Sequence, residues 1–105
     1  MNPLQRFEVI ETKRVSGPAS YPSGGFSVTF DQIRSLKVAL VRELGGGEYL
    51  PQVAAISGNS ATIKVRNNIE QAVNEGETAT YTIGGEIAAG TDISAVTFEL
   101  VGIGD

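Results

Sequence analysis

Residues 26 to 30 read Phe-Ser-Val-Thr-Phe, and their alternation decides the fold class. Phe26, Val28 and Phe30 fall on one side of an extended chain and Ser27 and Thr29 on the other, because strand side chains point alternately to opposite faces. The same period of two returns near the C-terminus. There Val96, Phe98 and Leu100 alternate with Thr97, Glu99 and Val101 in a stretch running to Ile103, behind a Gly90-Thr91-Asp92 turn.

Working outward, most other segments are also short, rich in β-branched residues and punctuated by glycine. Phe7, Val9 and Glu11 alternate with Glu8, Ile10 and Thr12 in a first extended stretch that stops before the turn cluster Ser16-Gly17-Pro18-Ala19-Ser20. Asp31 opens a connector, Asp31-Gln32-Ile33-Arg34-Ser35, where its carboxylate is placed to cap a single helical turn. Residues 36 to 44 follow, with Leu36, Val38 and Leu40 on one side. These nine residues also fit an amphipathic helix, and Gly45-Gly46-Gly47 suits either a helix stop or a hairpin loop. The neighbouring strands favour a strand.

Residues 49 to 56 and 62 to 66 read as a hairpin around Ser57-Gly58-Asn59-Ser60, with Pro51 marking an edge or a strand start. Residues 67 to 76 are polar and read as loop. Thr78, Thr80 and Thr82 then alternate with Ala79, Tyr81 and Ile83 in a strand ended by Gly84-Gly85. The expectation is an all-β, compact, single-domain antiparallel β-sandwich or barrel of about seven strands. Residues 1–19 form an N-terminal arm or first strand, and residues 20–105 the domain proper.

The chain's 105 residues suit one hydrophobic core, since a domain of this size buries about 65% of the surface its unfolded form exposes. With 41% hydrophobic and 19% charged residues the composition is ordinary for a globular domain. No apolar run approaches the roughly 20 residues of a membrane span, and residues 1 to 6 do not read as an export signal. Neither membrane association nor export is expected. Charge is unevenly distributed. All eight Lys and Arg lie between Arg6 and Arg66 beside five acids, whereas residues 67 to 105 hold seven acids and no base. Two readings follow: basic and acidic strands pair across one fold, or neighbouring copies attract head to tail and assemble in a salt-sensitive way. A net charge of −4 lacks the footprint that nucleic-acid phosphates demand.

Chemistry-bearing residues are sparse. Neither Cys nor His is present, which removes thiolate chemistry and the commonest general base, so no catalytic residue, cofactor or metal ligand is assigned and no enzyme is expected. The carboxylate pairs Glu75 with Glu77 and Glu86 with Asp92 read more readily as solvated loop acids than as an acid/base or calcium site. Gly45-Gly46-Gly47-Glu48 and Gly84-Gly85-Glu86 lack the Lys-Ser/Thr that a phosphate loop needs and read as turns.

Two stretches carry a likeness. Residues 20 to 41, beginning Ser-Tyr-Pro-Ser-Gly-Gly-Phe-Ser-Val-Thr-Phe, and residues 87 to 104, Ile-Ala-Ala-Gly-Thr-Asp-Ile-Ser-Ala-Val-Thr-Phe-Glu-Leu-Val-Gly-Ile-Gly, resemble the small β-rich virion structural proteins of tailed bacteriophages. The resemblance is one of turns and alternating apolar residues from Ser20 onward. It implies a capsid decoration (cement) protein, made in the host cytoplasm and carried on the capsid surface of the virion. Such a protein binds the major capsid protein and copies of itself, with a homotrimer favoured, and takes no cofactor, nucleic acid or membrane. The candidate interface residues are Leu4, Phe7, Val9 and Ile10 in the arm, which either adds a strand to a neighbour or forms a first strand in its own domain. A tail-associated structural protein and a carbohydrate- or cell-surface-binding module remain open, the latter with Tyr21 and Tyr49 as contact aromatics.

Overall fold

The computed structural model describes residues 8–45, 47–67, 69–72 and 80–105, and for 69–72 and 80–83 the backbone alone. Among the described residues eight strands follow one another: β1 (Val9–Ser16), β2 (Phe26–Thr29), β3 (Leu36–Leu44), β4 (Tyr49–Ser57), β5 (Ser60–Asn67), β6 (Ile69–Ala72), β7 (Thr80–Ile83) and β8 (Thr97–Gly104). No helix occurs among the described residues. Six strands build two three-stranded antiparallel sheets, ordered β1-β8-β3 and β2-β5-β4, where about seven were expected in one body. The other two, β6 and β7, form a separate two-stranded ribbon. Part of the stretch expected to be loop is therefore strand.

Alternation builds the core. On β8, Phe98 and Leu100 are fully buried, and on β5 so are Ile63 and Val65. Phe26 of one sheet, packed against the core, meets Phe98 of the other with ring centroids 5.7 Å apart, and Phe98 belongs to a single buried cluster with Tyr21, Phe30, Ile33 and Ile93. The inner face of β8 continues through Gly102, where a Cβ would stand 2.7 Å from the Phe30 ring. Glycine there makes room for an aromatic that the neighbouring turn sends into the core.

Residues 36 to 44 are a strand throughout, which closes the helical alternative. A register irregularity between Leu36 and Val38 inserts Lys37 and changes which way the start of β3 faces. Leu36 turns inward and is buried, whereas Val38 and Leu40 face out, so the three do not share one side as expected. The β4–β5 turn is as tight as its residues suggest. Gly58 has φ of +60° and Asn59 has negative φ, the pattern of a two-residue hairpin with glycine at the first central position. Pro51 lies on β4, an edge of its sheet, where its missing N–H costs no ladder bond.

Asp31 does not cap its own turn. The carboxylate of Glu11, 8% exposed on the inner side of β1, accepts the Gln32 N–H at 2.8 Å and the Asp31 N–H at 3.3 Å. Asp31 instead lies 3.5 Å from Lys13 Nζ.

Candidate functional site

β8 is the middle strand of its sheet, and register places its outward residues in rows with those of β1 and β3. Ile10, Ile103 and Val38 make one row, Thr12, Val101 and Leu40 the next, and Arg14, Glu99 and Arg42 a third. Ile10 is 66% exposed, Leu40 61% and Val38 46%, while Val101 and Ile103 are half-buried among them. Five apolar side chains are thus contiguous on a surface where antiparallel sheets ordinarily turn polar residues to water. A shallow open groove of about 300 Å³ runs between Leu40, Val101 and the charged row.

The charged row borders the apolar one. Arg42 Nη2 lies 2.7 Å from Glu99 Oε1, and Arg14 Nε lies 3.3 Å from Oε2, so one carboxylate serves two guanidinium groups whose outer parts remain in water. The Arg42 hydrogen bond, seconded by that of Arg14, holds the Glu99 carboxyl below the usual range against a smaller opposing effect of desolvation. These two pairs, with Lys37 and Asp105 at 3.2 Å, join the basic first part of the chain to its acidic second part, as the cross-strand reading of the charge split expects.

The other sheet presents a different outer face. Thr29 with Ser60 and Ser57, and Ser27 with Thr62 and Ala55, form its rows, followed by Lys64 with Gln52 and Arg66 with Leu50. Thr29 and Ser60 share a hydroxyl hydrogen bond at 2.9 Å, and Arg66 donates to Gln52 at 2.9 Å.

A polar cluster lies where two loops cross. β2 flanks β5 from Ser60 to Ile63, and the segment around Gly85–Ile87 takes over that flank, with Ile87 N–H donating to Val65 and Asn67 N–H to Gly85. Val65 N–H falls in the gap, where the Tyr21 hydroxyl accepts it at 3.1 Å and donates at 2.6 Å to Glu86. Gly24 N–H also donates to Glu86, at 2.9 Å. Burial, then the bond to Glu86, pushes the Tyr21 phenol up to about 12. The Glu86 carboxyl is held low, chiefly by the Tyr21 hydrogen bond. This cluster is a brace with all its described groups satisfied. Asp92 is occupied separately, accepting both the N–H and the hydroxyl of Ser94, so Glu86 and Asp92 serve two turns and form no acid/base pair. Among the described residues no three metal-ligating side chains converge. Glu75 and Glu77 lie outside them.

The sequence candidates scatter. Ile10 stands on the exposed apolar face, whereas Val9 lies on the opposite side of β1, packed against the core. Tyr21 is 1% exposed with its hydroxyl engaged internally, which removes it as a surface aromatic. Tyr49 is half-buried against the core. Leu4 and Phe7 lie outside the described residues.

Comparison with protein-family models, characterised proteins and solved structures finds no match to this chain. The face itself is therefore the guide. Val38, Leu40, Val101 and Ile103 were not foreseen as its members, although Val101 and Ile103 alternate with the inward Phe98 and Leu100 and are apolar on both sides of the strand, a signal visible in the sequence.

Proposed function

We propose that the chain is a virion structural protein of the capsid decoration type, a β-sandwich that works by docking and not by catalysis. One observation carries the reading: the outer face of the β1-β8-β3 sheet is apolar across Ile10, Val38, Leu40, Val101 and Ile103 and edged by Arg14 and Arg42. A contiguous apolar patch with a charged border has the anatomy of a protein interface, where a dry centre contributes affinity and a polar rim contributes orientation. The shared core of the two sheets supports the sandwich, and the resemblance of residues 20 to 41 and 87 to 104 to phage virion proteins supports the capsid as partner. In this reading the protein spans joints between major capsid proteins on the outer shell, in trimers. The glycan-binding alternative loses Tyr21, which is buried.

The test is cosedimentation of the purified protein with phage capsids stripped of their outer proteins. Saturable binding that Leu40→Glu abolishes is the expected result. Binding to no shell, or binding indifferent to Leu40→Glu and Ile10→Glu, would overturn the proposal.

A further inference from the structure

The β6–β7 ribbon stands apart from the two large sheets, continuing outward from the place where Arg66 bridges to Glu86. Two strands of four residues, paired Ile69 with Ile83 and Ala72 with Thr80, form a two-stranded sheet separate from the two large ones. A two-stranded hairpin is marginally stable in water and needs a further surface to lean on.

Topology puts the ribbon and the apolar face at opposite ends. Leu36 N–H donates to Gly58, which places the start of β3 beside the β4–β5 turn, and the start of β3 pairs with the end of β8. The row of Ile10, Ile103 and Val38 therefore lies at that end. The ribbon springs from the other end of β5, where Asn67 pairs with Tyr49.

We propose that the outer face of the β1-β8-β3 sheet receives the β6–β7 ribbon of a second copy of this chain. Charge favours the pairing. Residues 67–83 carry three acids, Glu70, Glu75 and Glu77, and no base, while the edge of the face carries two guanidinium groups for one carboxylate. Dimensions agree as well: a four-residue strand is about 14 Å long, and three strands at about 4.8 Å spacing present a face of about that width. A contact this small is weak singly and gains strength when head-to-tail contacts close a ring or are repeated on a shell. The inference rests on the docking role of the same face: copies joined through it meet the shell as an assembly, so that loss of Leu40 weakens shell binding by dissolving that assembly.

Two variants test it. Leu40→Glu spoils the face and keeps the ribbon; replacing residues 69–83 with a short glycine linker removes the ribbon and keeps the face. Circular dichroism and thermal melts first verify that each is folded. Analytical ultracentrifugation over a wide concentration range then reads association. The wild type is expected to self-associate more strongly at low than at high salt, each variant to remain monomeric, and an equal mixture of the two to form a one-to-one heterodimer. A ribbon-deleted chain that still self-associates overturns the proposal, as does a mixture that stays monomeric or a wild type monomeric at every concentration. Capsid binding separates the two readings. A protein that binds shells through Leu40 but fails these association tests keeps its decoration role and loses the ribbon contact.

Discussion

On their inner sides the two central strands are built alike: β8 sends Phe98 and Leu100 into the core, and β5 sends Ala61, Ile63 and Val65 to meet them, all buried. On their outer sides they part. β5 turns out Ser60, Thr62, Lys64 and Arg66, whereas β8 turns out Thr97, Glu99, Val101 and Ile103, with Ile10, Val38 and Leu40 beside the last two. One apolar face per sheet is enough to close a core, and the β2-β5-β4 sheet stops there. The second apolar face of the β1-β8-β3 sheet contributes little to folding this chain, because water still covers most of Ile10 and Leu40.

The sharpest way to test the likeness of the inner faces is to damage each. Phe98→Ala is expected to destabilise the protein by about 3–5 kcal/mol and Ile63→Ala by about 2–5 kcal/mol in urea titrations. If one core joins both sheets, each variant shifts a single cooperative transition. Two separated transitions would show that the sheets unfold independently and that the inner comparison is mistaken.

A smaller effect is expected at the brace between the loops. Tyr21→Phe leaves the buried Val65 N–H without its acceptor and takes from Glu86 the shorter of its bonds, that of Gly24 remaining, at a cost of about 1–3 kcal/mol. The pH dependence has a definite sign. The folded phenol holds its proton up to about 12 against 10.0 for an unperturbed tyrosine, so deprotonation favours the unfolded chain first. Stability from this group is complete below pH 10 and is lost as pH rises towards 12. Denaturant midpoints measured across that window should fall more steeply in the wild type than in Tyr21→Phe; equal slopes would count against the buried hydrogen bond.

Leu40→Thr on the outer face should change folding stability by no more than about 0.5 kcal/mol, while markedly weakening capsid binding. A large loss of stability would mean that Leu40 belongs to this chain's own core, and the contrast between the outer faces would disappear.

Much of this fold was legible from alternation. Phe26, Val28, Phe98 and Leu100 face where a period of two puts them, and the Ser57-Gly58-Asn59-Ser60 turn announces its hairpin. What escaped the sequence was non-local. The insertion at Lys37 reverses Leu36 relative to Val38, and no residue in that stretch signals a register change. Asp31 looks like a cap by position, but Glu11, twenty residues earlier, reaches the turn first because β1 passes beside it. Tyr21 sits amid proline, serine and glycine, the setting of an exposed loop, and is buried because a gap between β2 and the segment near Ile87 leaves Val65 needing an acceptor. The exposed apolar face was only half visible: Ile10 was singled out, but its neighbours come from β3 and β8 and are assembled by sheet order alone.

The smallest expected effect concerns the charged row, and it isolates electrostatics from apolar contact. Arg42 and Arg14 together hold the Glu99 carboxyl below its usual range, so the folded state binds that proton less readily than the unfolded chain. The favourable contribution is present above the ordinary glutamate range and fades as pH falls through the lowered folded value. Exposure and salt keep it slight. Carboxyl titration by NMR should find Glu99 low in the wild type, raised in Arg42→Ala and raised less in Arg14→Ala, since the Arg42 bond is the shorter. If Arg14→Ala moved Glu99 more than Arg42→Ala, the row would be organised around β1 and not β3, and the orientation in which a partner meets the face would have to be redrawn.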